Sequence, residues 1–176
     1  MYELKWDGFR SLARIESGAC DLVSRNAHVY KAFADLRASL AQIPHDAILD
    51  GEIVCLEVNG CPDFNGLFYR RKQPYFMAFD IPYLDGRDLR ELPLLEGKRI
   101  LRGIVPADSR LLYSGHIEGK GSDLFREVCR RDLEGIVAKW KGGAYLSGDV
   151  TSWIKIKNPA YSQMADRWER FRRKQN

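Results

Sequence analysis

Cysteine and histidine are scarce in this chain. Four cysteines, Cys20, Cys55, Cys61 and Cys129, are scattered over 176 residues without a C-x-x-C pair, and only three histidines accompany them. That spacing sets aside structural zinc, iron–sulfur and haem readings, and leaves the thiols as small apolar or surface side chains. No apolar run approaches the ~18 residues of a membrane-spanning helix. The opening MYELKWDGFR lacks the charged-then-apolar pattern of a secretory signal, so the expectation is a cytoplasmic protein in a reducing compartment, with no membrane partner. Internal repeats and low-complexity segments are missing too, which excludes solenoids and linker-like chains.

What the chain does have is ordinary for a globular domain, with 45% apolar and 30% charged residues. Its length suits one domain, read as residues 1–160 followed by a basic tail over 161–176. The formal net charge is +4, but the last eleven residues alone hold five basic and two acidic side chains. The body is therefore near balance. A balanced body with local basic clusters fits a protein that meets phosphates at one site, rather than one coated in positive charge.

Alternation and turn signals predict strands at Tyr2–Leu4, Phe9–Ile15, Cys20–Ser24, Ala47–Val58, Tyr75–Phe79, Leu111–Ser114, Gly135–Trp140 and Trp153–Lys157. Helices are predicted over Lys31–Gln42, Asp63–Arg71, Leu95–Ile104 and Ser122–Arg131, the last with Ser122 as its cap. Many strands close in sequence, with helices irregularly interspersed, imply an α+β fold with antiparallel sheets flanked by helices.

Several short strings carry chemistry. Lys5-Trp6-Asp7-Gly8-Phe9-Arg10 lies between two strand-like segments. Asp-Gly between strands is ordinarily a hairpin turn, but the accompanying Lys5 and Arg10 suit a pocket that holds phosphate or ribose. A lysine is a nucleophile only when neutral, so it needs cationic neighbours or desolvation to lower a reference pKa of ~10.4. In Trp153-Ile154-Lys155-Ile156-Lys157 the period of two puts both lysines on one face. They form either the solvated face of an edge strand or a pair of ammonium groups clamping a phosphate, and spacing does not choose. Asp50-Gly51-Glu52 and Glu134-Gly135 each set a carboxylate beside a glycine at an apolar strand, an arrangement able to supply oxygen ligands to magnesium. Phe79, in the aromatic strand that ends at Asp80, is a core ring or a platform for a purine.

Taken in order, K-x-D-G-x-R, S-R-N, D-G-E, the aromatic-Asp strand end, E-G-I-V-x-K and K-x-K resemble the covalent nucleotidyltransferase superfamily, and most closely the ATP-dependent DNA ligases. The resemblance runs from Glu3 to Lys157. The continuation Asn158-Pro159-Ala160-Tyr161-Ser162-Gln163 is similar to the bacterial end-joining type. The resemblance implies the fold of a ligase adenylation domain and assigns roles. Lys5 matches the nucleophile that takes AMP from ATP. Glu3 matches a contact to the adenine amino group, Arg10 a contact to the ribose and nick end, and Arg25 the arginine that binds the 5′-phosphate of the nick. Glu52 matches a carboxylate near ribose and metal, Glu134 a metal-associated carboxylate, and Phe79 the ring stacked on adenine. Lys139, Lys155 and Lys157 match the lysines around the phosphates. ATP and Mg²⁺ (or Mn²⁺) are the implied cofactors.

Three departures stand out. The family's segment upstream of Glu3 and the OB-fold that normally follows K-x-K are not in the sequence, and Ala27 replaces the glycine usual after S-R-N. The implied activity is nick sealing in DNA repair or recombination through a lysyl-AMP. Nicked duplex DNA is the implied substrate, with an OB-fold or end-joining partner acting in trans. RNA ligase or capping chemistry, and a non-catalytic remnant that holds AMP or DNA ends, are the alternatives.

Overall fold

The computed structural model describes residues 1–146 and 152–163. Ten strands and four helices follow in the order β1 (Tyr2–Leu4), β2 (Phe9–Glu16), β3 (Ala19–Ser24), α1 (Ala34–Leu40), β4 (Ala47–Val54), α2 (Phe64–Phe68), β5 (Tyr75–Leu84), β6 (Arg87–Asp88), α3 (Leu94–Ile104), β7 (Leu111–Tyr113), β8 (His116–Ile117), α4 (Gly121–Arg130), β9 (Gly135–Lys139) and β10 (Trp153–Lys157). A single 3-10 turn, Lys31–Phe33, leads into α1.

They form two sheets. The larger runs β3-β2-β4-β5-β6, with β7 also beside β5; the smaller runs β10-β9-β1-β8. Strand β2 shows why the larger sheet forms. Ser11, Ala13 and Ile15 point inward and are buried, while Arg10, Leu12, Arg14 and Glu16 alternate outward. Strand β4 sits between β2 and β5 and is covered on both faces, so Ala47, Leu49, Ile53 and Val54 are all buried. Helix α1 places Leu36 and Leu40 against this sheet, and α3 packs on β5 through the fully buried Leu101. On the smaller sheet α4 covers β9 and β1.

The antiparallel α+β reading holds with one exception. Strand β7 pairs with β5 in parallel, Phe76 opposite Leu111 and Ala78 opposite Tyr113, after a crossover through α3. Local differences have local causes. The strand at Ala47 stops at Val54 rather than Val58, because a turn closes with Glu57 N–H donating to Cys61 O and Cys61 N–H donating to Asn59 Oδ1. Strand β5 continues five residues past Phe79 because β4 and β6 both offer pairing along it. Ser122 does not cap α4: the helix begins at Gly121, and its N-cap Lys120 makes no side-chain cap bond. Ala27 adopts a positive φ of 59°, the conformation a glycine takes without strain.

After β10, Asn158 and Tyr161 are buried against the core. The rest of the basic tail, from residue 164, lies outside the described residues, as do residues 147–151. Among the described residues no helix is long and apolar enough to cross a membrane.

Candidate active site

The two sheets meet over a cavity of about 160 Å³. Its walls come from both. Glu3, Lys5, Lys139 and Lys155 are contributed by the smaller sheet, and Arg10, Glu52 and Phe79 by β2, β4 and β5 of the larger. Seven of the residues singled out in the sequence thus converge on one space.

Lys5 follows directly on β1, and its backbone N–H donates to Gly135 O at 2.9 Å. The same approach brings its ammonium to Glu134 Oε2 at 2.6 Å, with the Glu134 side chain only 3% exposed. Glycine beside each carboxylate is a packing necessity. A Cβ at Gly51 would meet the Phe76 ring at 2.6 Å, and one at Gly135, whose φ is +152°, would meet Ile156 O at 2.2 Å. The carboxylates of Glu52 and Glu134 reach their places because a bare backbone precedes or follows them.

Glu52 lies opposite Arg10 across β2 and β4. Burial pushes its pKa up to about 8, with Lys5 and Arg10 pulling the other way and Glu134 adding to the rise. Arg10 itself turns to Asp50, donating through Nε at 3.2 Å and Nη2 at 2.7 Å, and Tyr145 Oη donates to the same carboxylate at 3.0 Å. The Lys155 ammonium is held below its ordinary pKa by burial first, and then by Lys5 and Arg10.

The aromatic wall is Phe79 with Trp153, edge to face at 5.5 Å. Lys139 Nζ lies 4.0 Å from the Trp153 ring centre and 4.6 Å from that of Phe79, close enough for cation–π attraction. Lys139 also bonds Glu3 Oε2 at 2.9 Å, while Lys98 Nζ takes Glu3 Oε1 at 2.8 Å. Both carboxylate oxygens of Glu3 thus face lysines in a buried triad. Lys98 further donates to the carbonyls of Ser114 and Phe79, at 2.8 and 3.3 Å, so it ties β1, β5 and the end of β7 behind the cavity. Burial lowers the Lys98 pKa.

A second, larger cavity of about 690 Å³ adjoins the first and shares Arg10, Trp153 and Lys155 with it. Arg25, flanked by Ser24 and Asn26, lines this one. Lys157, opposite Gly135 in the β9–β10 register, is exposed and lines neither cavity. Beside Lys155 the smaller cavity also takes Lys5.

Sequence reasoning missed Asp50, Tyr145, Trp153 and Lys98. Asp50 and Trp153 sat inside strings read for their neighbours. Lys98 gave no local signal: on α3 it looks like one of several surface cations, and only the crossover of α3 over β5 buries it.

Residues 1–157 match the family described as ATP dependent DNA ligase domain. The chain is 35% identical over 165 residues to the multifunctional non-homologous end joining protein LigD of Pseudomonas aeruginosa, covering 89% of this chain and 20% of that protein. A DNA ligase-like protein LigB of Bacillus subtilis, prophage-derived, is 28% identical over 170 residues, covering 92% of this chain and 62% of its own length. Among solved structures, the ligase domain of M. tuberculosis LigD superposes with a TM-score of 0.78 at 33% identity, over 89% of this chain and 52% of that one. A mycobacterial DNA ligase D complexed with ATP and MES superposes with a TM-score of 0.77 at 33% identity, over 89% and 53%. This chain therefore spans about a fifth of the LigD protein and about half of the ligase domains it overlays. By the match over nearly its whole length, the chain belongs to the ATP-dependent DNA ligase family, as a copy of its nucleotidyltransferase domain.

Proposed function

We propose that this chain is the catalytic core of an ATP-dependent DNA ligase acting on strand breaks. Lys5 Nζ attacks the α-phosphorus of ATP, the bond to the bridging oxygen breaks, and pyrophosphate leaves with the electron pair, giving lysyl-AMP. The 5′-phosphate of a nick then displaces Lys5 from the AMP, and the 3′-hydroxyl displaces AMP to close the strand. The observation that carries this reading is the position of Lys5, its ammonium on a buried carboxylate at a cavity walled by an aromatic pair and by Lys139 and Lys155.

The parts divide the work. Phe79 offers its face to the base, a contact worth ~1–3 kcal/mol for stacking. Lys139 and Lys155 stand where negative charge gathers on the transferred phosphoryl group, and preorganised cations there cost no rearrangement during reaction. Arg10, fixed by Asp50 and Tyr145, lies at the border of the two cavities, between nucleotide and nick. Arg25 in the larger cavity receives the 5′-phosphate. Lys157 and Glu3 keep the roles the resemblance implies, Glu3 through a carboxylate already oriented by Lys98 and Lys139.

Glu52 and Glu134 fit Mg²⁺ or Mn²⁺. They are oxygen donors, Glu134 buried and Glu52 half-buried, close enough that the Glu134 charge adds to the burial-driven rise of the Glu52 pKa. Among the described residues no group of three or more His, Cys, Asp or Glu side chains gathers to hold a metal, so phosphate and water would complete the ligand set, as magnesium prefers. The ion supplies charge neutralisation on the leaving phosphates. Nicked duplex DNA is the substrate, and an OB-fold or end-joining partner in trans would close over the same face.

The test is a competition. Sealing of a nicked DNA duplex in preference to a nicked RNA duplex, with ATP and magnesium, is the expected outcome. Preference for RNA would favour the RNA-ligase reading, and AMP binding with no transfer would favour a remnant.

A further inference from the structure

The segment that follows β10 lies close to Lys5 and is bonded to both loops that flank it. Asn158 N–H donates to Glu134 O at 2.9 Å, and Asn158 Nδ2 donates to Leu133 O at 3.1 Å. Ser162 bonds Asp132 through both its N–H, at 2.9 Å, and its hydroxyl. Residues 132, 133 and 134 are thereby held one after another from the same side. Between these anchors Tyr161, 5% exposed, sends its hydroxyl to Asp7 Oδ2 at 2.6 Å, and Asp7 is 1% exposed.

Asp7 belongs to the loop that carries Lys5, and Glu134 is the carboxylate that holds the Lys5 ammonium. The strap 158–163 thus grips both partners of one ion pair, the nucleophile's loop through Tyr161 and the carboxylate's loop through Asn158. Chain stability alone is a poor reason for the Tyr161–Asp7 bond. A buried carboxylate costs desolvation that an apolar pair of the same shape avoids. What a short charge-assisted bond adds is a fixed distance and direction. The Tyr161 hydroxyl is held above its ordinary pKa by burial and by Glu134, Asp132 and Asp63, so it stays a donor across the working range.

We propose that Tyr161 is a positioning residue for lysyl-AMP formation: through Asp7 it fixes the Lys5 loop against the Glu134 loop, so that the nucleophile meets the α-phosphate in line. The strap acts as a splint across the reacting end of the nucleotide cavity. This inference rests on the reading of Lys5 as nucleophile.

The experiment uses the full chain with radiolabelled ATP and magnesium, following single-turnover label uptake on Lys5 against ATP concentration. Y161F removes the hydroxyl and keeps the ring. Its maximal rate is expected to fall on the order of tenfold or more, because small misplacements of a reacting group carry such costs, while half-saturating ATP stays within about twofold of the parent. D7N, which keeps an acceptor but removes its charge, should show the same split in smaller measure, and D7N/Y161F should be no slower than the worse single variant, since both act on one bond. Wild-type rate in Y161F overturns the proposal. So does an equal loss in rate and ATP affinity, which is what general loosening of the fold would give. If Y161F does not fold, S162A decides: it removes the hydroxyl bond of an exposed anchor of the same strap while its N–H bond to Asp132 remains, and a rate no lower than the parent's overturns the proposal. A parent chain that takes up no AMP on Lys5 contradicts the functional reading and the strap with it, whereas a labelled parent beside an equally fast Y161F overturns the strap alone.

Discussion

The two sheets of this molecule do different work. The large sheet supplies the apolar core: Ile15, Leu22, Leu49, Ile53, Phe76, Ile81 and Leu111 pack with α1 and α3 into one cluster to which no residue of β1, β8, β9 or β10 contributes. The small sheet stays outside that cluster and buries charge, as β4 and β5 also do at Asp50 and Asp80. Glu3 and Lys139 are nearly inaccessible within it, Glu134 lies at its edge, and Ile154 on β10 is left 67% exposed. A sheet that hides carboxylates and lysines while showing Ile154 to solvent gains less from burial than the larger one. The apolar cluster thus lies with the larger sheet, while both sheets contribute polar side chains to the cavity where they meet.

That division can be broken most sharply by paired substitutions. Phe76→Ala, in the centre of the large sheet, should cost ~3–5 kcal/mol in denaturant unfolding, whereas Lys155→Ala on the small one should change stability by no more than about 0.5 kcal/mol yet slow AMP transfer. Equal stability losses would show that the sheets share the load.

The pH dependence of stability sharpens the comparison at the border. Glu52 is pushed up to about 8 by burial in the folded chain, against an ordinary value near 4.3 when unfolded. A raised carboxyl favours the folded state below the unfolded pKa, and that contribution is lost as pH climbs through the folded one. The metal-free chain should therefore lose on the order of a few kcal/mol between about pH 4.5 and 8. Glu52→Gln should flatten this slope, and melting curves at pH 5 and pH 8 check it. Asp80, raised to about 6 by burial, adds a smaller loss of the same sign at lower pH.

Phe79→Ala should weaken ATP binding by ~1–3 kcal/mol, with Phe79→Tyr and Phe79→Trp largely retaining it; titration calorimetry would show whether the ring is a platform or only a neighbour of Trp153. The smallest effect is expected at Arg25. Arg25→Ala should lower affinity for a nick bearing a 5′-phosphate and reduce the salt slope of binding by about 0.9, one phosphate contact, while leaving affinity for a 5′-hydroxyl nick unchanged.

Much of this was legible in the sequence, because the site's chemistry sits in strings with fixed local spacing. K-x-D-G-x-R places Lys5 at the end of one strand and Arg10 on the next, whatever the rest of the chain does. The alternation in Trp153–Lys157 correctly placed Lys155 apart from Ile154. Lys157 shares that strand face but is exposed and outside the lining of both cavities, because a shared face does not bring both residues to the same space. What stayed illegible depends on long-range closure. Lys98 is a buried cation only because α3 crosses β5, and Asp50 became the anchor of Arg10 only through the β2–β4 register. The parallel pairing of β5 with β7 was invisible for the same reason, since a three-residue strand carries no sign of its partner's direction. Tyr161 read as the start of a tail, and its hydroxyl found Asp7 across 154 positions of sequence.

The central claim, that Lys5 is the nucleophile of a ligase core, is tested most directly by mass spectrometry of the intact chain after incubation with ATP and magnesium. The account predicts one added AMP, located on Lys5 after digestion, removed by pyrophosphate, and absent from Lys5→Ala and from Lys5→Arg, whose guanidinium does not deprotonate at working pH. An AMP adduct persisting at the parent level in Lys5→Ala, or no adduct on a folded parent chain that binds ATP, would contradict it.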